Sequence, residues 1–307
     1  MPLRDLLLSP VTASHRLTFV DPVRVLRSAG HPEEFDLVER VLLAQGDSWF
    51  SIGAFPPGLT SNLLAQMELT RSAAVVNCAR PGIQLAHMTD TSTQQTFRKL
   101  LTGRFAVKWD AILFSGGGND LIDAASVGPN EQPQLRLLAT QAERGANPAS
   151  GDDYISKPGW QTFESHMTAI FDALVSFRDG GINQRVPMVF HTYSHIMPRP
   201  APAGPGHGPW LQPAMDAFAV PTPDWLAVSA ALMDRLADLL ARLIAAHQAA
   251  DPGCELHLVD SRPVRLELGD QKETGPSGDF FNEIHPTRDG YTKLATAWRD
   301  PVDQILR

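Results

Sequence analysis

The sequence contains few of the features that mark membrane-spanning, disulfide-rich or nucleic-acid-binding proteins. It has no continuous apolar run of the roughly 18 residues that a transmembrane helix needs. Only two cysteines occur, Cys78 and Cys254, and both lie in apolar runs, so we expect buried free thiols rather than a disulfide. No basic block stands out, and the formal net charge is -8. This charge argues against nucleic acid or an anionic membrane surface as the main partner.

The remaining composition is that of an ordinary globular protein, with 43% apolar and 20% charged residues. A length of 307 residues allows one large domain or two small ones. The N-terminal apolar stretch at residues 6–8 is too short, and too close to Asp5, for a signal peptide. We therefore expect a cytoplasmic protein without a membrane span.

Short apolar runs bounded by turn residues alternate with segments of helical periodicity, which predicts a parallel sheet with helices on both faces. The predicted strands are residues 37–44, 73–78, 111–114, 186–191 and 255–259. The predicted helices are residues 59–70, 94–101, 160–178, 223–250 and 288–298.

Residues 1–36 form an N-terminal extension to which the pattern assigns no structure, and residues 37–307 are predicted to be a single domain. Two insertions, at about 122–158 and 197–224, are rich in proline, glycine or polar residues and each follows a predicted strand. Ligands of open parallel sheets bind at the carboxyl ends of strands, so these insertions are expected to overhang an active site as a partial lid. The alternative is that both are ordinary surface excursions.

Chemically useful side chains follow several of the predicted strands. The blocks are GDSW at 46–49, NCARPG at 77–82, GGGND at 116–120 and NEIHP at 282–286. At one rim of the sheet they would offer a serine, a glycine N–H, a side-chain amide and an imidazole. These are the nucleophile, oxyanion donors and general base that acyl transfer requires.

The four blocks, in this order, resemble the SGNH hydrolases, also called the GDSL family of esterases and lipases. The residues that match are Ser48, Gly82, Asn119 and His285. The resemblance implies a flavodoxin-like three-layer α/β/α sandwich whose parallel five-stranded sheet has the order 2-1-3-4-5. It also implies a serine esterase that works through an acyl-enzyme, with Ser48 as nucleophile, His285 as base and no metal or organic cofactor.

One position departs from the family pattern, which has an aspartate three residues before the histidine where this chain has Asn282. An amide cannot stabilise an imidazolium as a carboxylate does, and it can favour the wrong tautomer. Three interpretations remain open. The Nδ1–H of His285 bonds to a backbone carbonyl or to the Asn282 oxygen; Glu283 or Asp279 takes the role of the aspartate; or the protein is weakly active or inactive.

The substrate class is only partly indicated by the sequence. Trp49, Phe50 and Tyr193, together with the proline-rich insertion, predict a partly apolar pocket and hence short- or medium-chain acyl or acetyl esters. An acyltransferase would use the same residues, and a non-catalytic binding protein on this fold is the alternative that Asn282 supports.

Other residues are expected to serve structure. His191 and His195 lie roughly 13 Å apart on a strand, too far to share a metal, so packing or pocket lining is predicted. Asp47 is expected to be a turn residue. The three glycines at 116–118 lack the spacing of a nucleotide-binding loop.

Overall fold

The strands in the described part of the chain form one large and one small sheet. The computed structural model describes residues 14–51, 61–89 and 95–307. Strands β2, β5, β3, β6, β7 and β8 lie in that order in a parallel six-stranded sheet, and β1 pairs with β4 in an antiparallel ribbon. Their bounds are β1 His15–Arg16, β2 Thr18–Val20, β3 Arg40–Gly46, β4 Glu68–Leu69, β5 Ala73–Asn77, β6 Ala111–Ser115, β7 Met188–His191 and β8 Leu256–Val259.

Helices connect these strands. The α-helices are α1 Pro22–Arg27, α2 Ser48–Ser51, α3 Leu63–Gln66, α4 Gln95–Leu101, α5 Gly118–Ser126, α6 Gln141–Arg144, α7 Lys157–Asp179, α8 Gln212–Ala217, α9 Trp225–Ala250 and α10 Arg288–Ile305. Single 3₁₀ turns occur at Glu33–Leu37, Leu85–Thr89, Pro133–Leu135, Gly151–Tyr154 and Thr222–Asp224.

The sheet is sandwiched between two helical layers, as the resemblance implied. The chain passes from β3 to β5 in one direction and then returns past β3 to β6, β7 and β8. Right-handed crossovers in opposite directions place their helices on opposite faces. In agreement with this, α3 packs against α10, and α7 packs against α9. The fold is a three-layer α/β/α sandwich.

The predicted order of the five strands is confirmed, but the predicted number is wrong. Taken in chain order, β3, β5, β6, β7 and β8 have the order 2-1-3-4-5. A sixth strand, β2, comes from the N-terminal segment that received no assignment, and it pairs with β5 at the edge of the sheet. With three residues, this strand is too short to show a hydrophobic period.

Most predicted helices are present, with shifted ends. The long helices α7 and α9 match their predictions closely, whereas α10 continues to Ile305, beyond the predicted end at residue 298. The helix predicted at 59–70 is wrong in its length, because the helix found there spans only Leu63–Gln66 and the next residues form β4, which pairs with β1. Residues 59–60 and 94 of the predicted helices lie outside the described residues.

Two further expectations concern the cysteines and the membrane. Cys78 and Cys254 are both free and buried, as predicted, and burial raises the pKa of the Cys78 thiol to about 12. Across the ranges given above, no helix has the length and apolar character to cross a bilayer. The apolar stretch at residues 6–8 lies outside those ranges.

Strand register brings together the starts of the GDSW and GGGND blocks. Gly46 at the end of β3 lies opposite Ser115 at the end of β6. The two loops that follow therefore start side by side, where the chain reverses its direction across the sheet, the usual position of a ligand site in such folds.

Candidate active site

Ser48 lies at the junction between β3 and the short helix α2. The N–H of Asp47 donates to the carbonyl of Ser115 (3.0 Å), which ties this loop to the end of β6. The Asp47 carboxylate then accepts from the N–H of Trp49 (3.0 Å), which fixes the turn. Ser48 is the first residue of α2, so its N–H lies outside the hydrogen-bond ladder of the helix.

His285 contacts Ser48 directly although 237 residues separate them. The distance between His285 Nε2 and Ser48 Oγ is 2.7 Å, and both side chains are buried. The histidine lies in the loop before α10, whose first turn is capped by the Thr287 side chain accepting from the Gly290 N–H. The loop is closed by a bond from the Phe281 N–H to the His285 carbonyl (2.8 Å).

Asn282 contacts the other ring nitrogen of this histidine. Its Oδ1 lies 3.0 Å from His285 Nδ1. The same oxygen accepts from the backbone N–H groups of Ile284 (3.1 Å) and His285 (2.9 Å). Two backbone donors can face only the amide oxygen, so they determine which way the amide points.

This orientation determines the tautomer of His285. A carbonyl-type oxygen on Nδ1 requires a proton on Nδ1, and in the neutral ring that leaves the lone pair of Nε2 facing Ser48. Burial lowers the pKa of His285 to about 3, so the ring is neutral at neutral pH. The imidazole therefore has the protonation state that a general base for Ser48 needs.

The two carboxylates considered as substitutes for an aspartate bind elsewhere. Asp279 accepts from Lys293 Nζ (2.6 Å) and from the Glu267 N–H (2.6 Å). Glu283 accepts from backbone N–H groups of the 199–212 segment. Of the acceptors considered, the Asn282 oxygen is the one that contacts the imidazole.

Gly82 lies in a turn that is bonded to the loop of Ser48. The N–H of Ile83 donates to the carbonyl of Arg80 (3.4 Å), and Gly82 has a φ of +73°. Proline at the second position and a left-handed third residue make this a type II turn, in which glycine is favoured at the third position. The Arg80 N–H donates to the Gly46 carbonyl (2.8 Å), so the turn is attached to the end of β3.

Asn119 lies in the first turn of α5, after a left-handed residue, Gly117, with a φ of +98°. Its Nδ2 donates to the Ile83 carbonyl (2.9 Å), which joins it to the Gly82 turn. An amide nitrogen carries two protons, so one remains for a ligand. The next residue, Asp120, is buried and accepts from the Leu85 N–H (2.8 Å). This second hydrogen bond between the same two loops had no signal in the sequence.

A pocket opens beside Ser48. Its walls are mostly apolar and come from α2, α5, α9 and the loops after β7 and before α10. The lining residues are Asp47, Ser48, Trp49, Gly118, Asn119, Ile122, Tyr193, Ile196, Met233 and Ile284. Gly82 is exposed and is not part of this lining.

Of the three aromatic residues expected at the pocket, Trp49 and Tyr193 line it, and Phe50 does not. Phe50 is buried and packs against His191 and Trp298, with ring centroids 5.7 and 6.1 Å apart. The expectation for Phe50 is wrong because successive residues of the helix α2 point in different directions.

A buried polar network that the sequence did not reveal lies beneath the serine. Asp47 accepts from Ser115 Oγ (2.7 Å) and from the Tyr193 hydroxyl, and Ser115 also contacts His191 Nε2 (2.8 Å). Burial raises the pKa of Asp47 to about 6 and lowers that of His191 to about 4. His195 is instead half-exposed and lies 2.9 Å from Asp234. Among the residues with described positions, no group of three potential ligands could hold a metal.

No family model matches the chain, and no curated protein is similar to it in sequence. Its structure is similar to several solved structures, each with low sequence identity. An extracellular lipase from Streptomyces rimosus is 13% identical, with 84% of this chain and 99% of that chain covered and a TM-score of 0.43. A phospholipase A1 from Streptomyces albidoflavus is 11% identical, with 86% and 98% covered and a TM-score of 0.42. A catalytic mutant of an acetylxylan esterase from Geobacillus stearothermophilus is 13% identical, with 85% and 92% covered and a TM-score of 0.39.

Proposed function

We propose that the protein is a serine esterase that hydrolyses carboxylic esters through an acyl-enzyme. The observation that carries the proposal is the contact of Ser48 Oγ with His285 Nε2 at 2.7 Å, with Asn282 Oδ1 on the opposite ring nitrogen. This arrangement has the nucleophile, base and orienting group of a catalytic triad, with an amide in the third position.

In the proposed reaction, Ser48 Oγ attacks the ester carbonyl while its proton passes to His285 Nε2. The tetrahedral intermediate collapses, the C–O bond to the alcohol breaks, and His285 returns the proton to the departing alkoxide. A water molecule then attacks the acyl-enzyme, His285 accepts its proton, and Ser48 Oγ leaves with that proton as the carboxylic acid is released.

The developing oxyanion is proposed to be held by the N–H groups of Ser48 and Gly82 and by the Asn119 amide. The attachments of Asn119 to Ile83 and of Arg80 to Gly46 support this role, because they fix the three loops relative to each other. Preorganised donors of this kind are each worth about 3–4 kcal/mol in a water-excluded site.

The pocket beside Ser48 supports short- or medium-chain acyl groups as substrates. Ile122, Ile196, Met233 and Ile284 give it apolar walls that suit an acyl chain. A series of p-nitrophenyl esters from acetate to palmitate tests this, with the highest kcat/KM expected at or below a medium chain. A preference for acetylated sugars over butyrate or hexanoate esters would contradict the acyl-chain proposal.

Labelling with a small fluorophosphonate tests the activity itself, because it requires an activated serine and no knowledge of the natural substrate. We expect one adduct per chain, on Ser48 by peptide mapping, and none in Ser48→Ala or His285→Ala. A folded protein that gives no adduct would favour a non-catalytic binding protein on this fold. Product analysis with added alcohols separates a hydrolase from an acyltransferase.

A further inference from the structure

The carboxylate of Glu283 is almost completely buried and binds the backbone of a distant segment. Its two oxygens accept from the N–H groups of Trp210, Leu211 (3.0 Å), Gln212 (2.7 Å) and Arg199 (3.2 Å). Three of these donors lie at the start of α8, where Leu211 at the N-cap provides no side-chain acceptor. Glu283 therefore supplies the acceptors that this helix start lacks.

A second group of hydrogen bonds joins the two segments, with the side chain on the segment of Arg199 and the backbone acceptors on the side of Glu283. The Arg199 guanidinium, fully buried, donates to the carbonyls of Asn282 (2.9 Å), Glu273 (2.9 Å) and Gly275 (2.6 Å). A side chain of each segment thus binds the backbone of the other. The contact is specific, since each charged group uses several fixed hydrogen bonds.

The consequence for the active site lies at Trp210. Its indole ring packs edge-on against the imidazole of His285, with centroids 5.3 Å apart and an interplanar angle of 85°. Trp210 is itself half-exposed, so it separates the imidazole from solvent on that side. Its position depends on the carboxylate of Glu283, which binds the N–H of Trp210 itself and those of the next two residues.

We propose that Glu283 is a positioning residue whose buried carboxylate holds residues 210–212 across the histidine loop, so that Trp210 covers His285 and excludes water from it. The proposal rests on the proposed role of His285 as general base. In this proposal the insertion at 197–224 contributes to the active site by excluding water from His285.

Burial causes the low pKa of His285, so removing the cover should raise that pKa. The neutral groups in contact with the ring are Ser48, Asn282 and Trp210. Four charged groups of the surrounding elements have other partners. Asp47 accepts from Ser115 and Tyr193, Arg199 donates to backbone carbonyls, Asp279 accepts from Lys293, and Glu283 accepts from backbone N–H groups. Tyr291 of α10 is also buried, and its hydroxyl has no partner in the described structure.

The test measures the titration of His285 in the full-length protein by ¹³C–¹H NMR of labelled histidine, with the resonance assigned by its loss in His285→Asn. We expect the pKa of His285 to rise by about one unit or more in Glu283→Gln and in Trp210→Ala, because a buried ionisable group is freed from desolvation. The acid limb of kcat/KM should move upward by the same amount. Trp210→Phe, which keeps an aromatic ring over the imidazole, should show little of this rise.

Glu164→Gln is the matched control, since it removes a carboxylate from an exposed pair with Arg242 and should leave the titration unchanged. An unchanged His285 titration in Trp210→Ala would overturn the proposal. If Glu283→Gln does not fold, the comparison of Trp210→Ala with Trp210→Phe decides the role of the cover. The expected NMR shifts in a protein without a fluorophosphonate adduct would retain the positioning role while rejecting the proposed esterase function.

Discussion

Replacing Asn282 by aspartate adds a negative charge next to the imidazole while keeping the oxygen that contacts it. In the natural protein Asn282 Oδ1 lies 3.0 Å from His285 Nδ1. An aspartate oxygen at the same place would still accept from Nδ1 and from the two backbone N–H groups. The change therefore separates the effect of charge from the effect of orientation. A carboxylate favours the imidazolium, so the pKa of His285 should rise from its low value of about 3.

The size of the effect follows from the usual range for a single opposite charge in contact. A shift of about 1–3 pKa units corresponds to about 1.4–4 kcal/mol of added stabilisation of the imidazolium. The acid limb of kcat/KM should move upward by that shift. At pH 8, the rate should rise by roughly 10- to 100-fold, well below the factor of about 10⁴ that accompanies a wrong tautomer in serine proteases.

The assay is a pH profile of kcat/KM for a short-chain p-nitrophenyl ester, together with the rate of fluorophosphonate labelling. Asn130→Asp adds the same charge at an exposed turn and is the matched control. Circular dichroism and thermal melting check that the variant is folded, since the second carboxylate oxygen would occupy the place of Asn282 Nδ2, a buried atom without a partner in the described structure. An acid limb that does not move, or a gain as large as 10⁴, would refute the orientation argument.

Three further predictions follow from the same geometry. Asn119→Ala should lower kcat by about 10²- to 10³-fold with little change in KM, because it removes a donor used mainly in the transition state; steady-state kinetics check this, and an equal loss through KM would contradict it. Met233→Ala should shift the preferred acyl chain to longer esters by roughly two to three carbons, since Met233 lines the pocket; an unchanged ester series would place the acyl group elsewhere. The pKa of His285 is lowered from 6.5 to about 3 in the folded state. Below pH 6.5 the unfolded state therefore binds a proton that the folded state does not, and the free energy of unfolding decreases as the pH is lowered. Urea unfolding at pH 7 and pH 5 should show a drop smaller by about 2 kcal/mol in His285→Gln than in the natural protein, and equal drops would show that His285 is not buried in the neutral form.

The sheet was predictable because its strands are buried on both faces. Runs such as AAVVN of β5 and AILFS of β6 are apolar up to their last residue, which is a local property of the sequence. The short β2 escaped prediction, since its place in the sheet depends on pairing with β5 rather than on any period of its own. The helix predicted at 59–70 failed for a similar reason, as β4 exists through its pairing with β1.

The candidate site was predictable to the extent that its residues lie directly after strands. Ser48 and Asn119 follow neighbouring strands whose ends are in register, so the topology brings them together. The contact of Trp210 with His285 could not be predicted, because both lie in irregular segments 75 residues apart. The sequence identified Glu283 as a candidate, but it could not predict the groups that Glu283 binds. Its carboxylate accepts from backbone N–H groups, which carry no sequence signal.

The spacing of the histidine block explains how an amide can serve here. Asn282 Oδ1 accepts from the N–H groups two and three residues later, which is the geometry of an Asx turn and is open to asparagine and aspartate alike. In that turn the oxygen is brought to the backbone N–H of His285 and, from the same place, to its Nδ1. Orientation and tautomer therefore follow from the three-residue spacing, and they do not depend on charge. What the asparagine gives up is the electrostatic stabilisation of the imidazolium, which makes His285 a weaker base that stays neutral, and so competent to accept the serine proton, at lower pH.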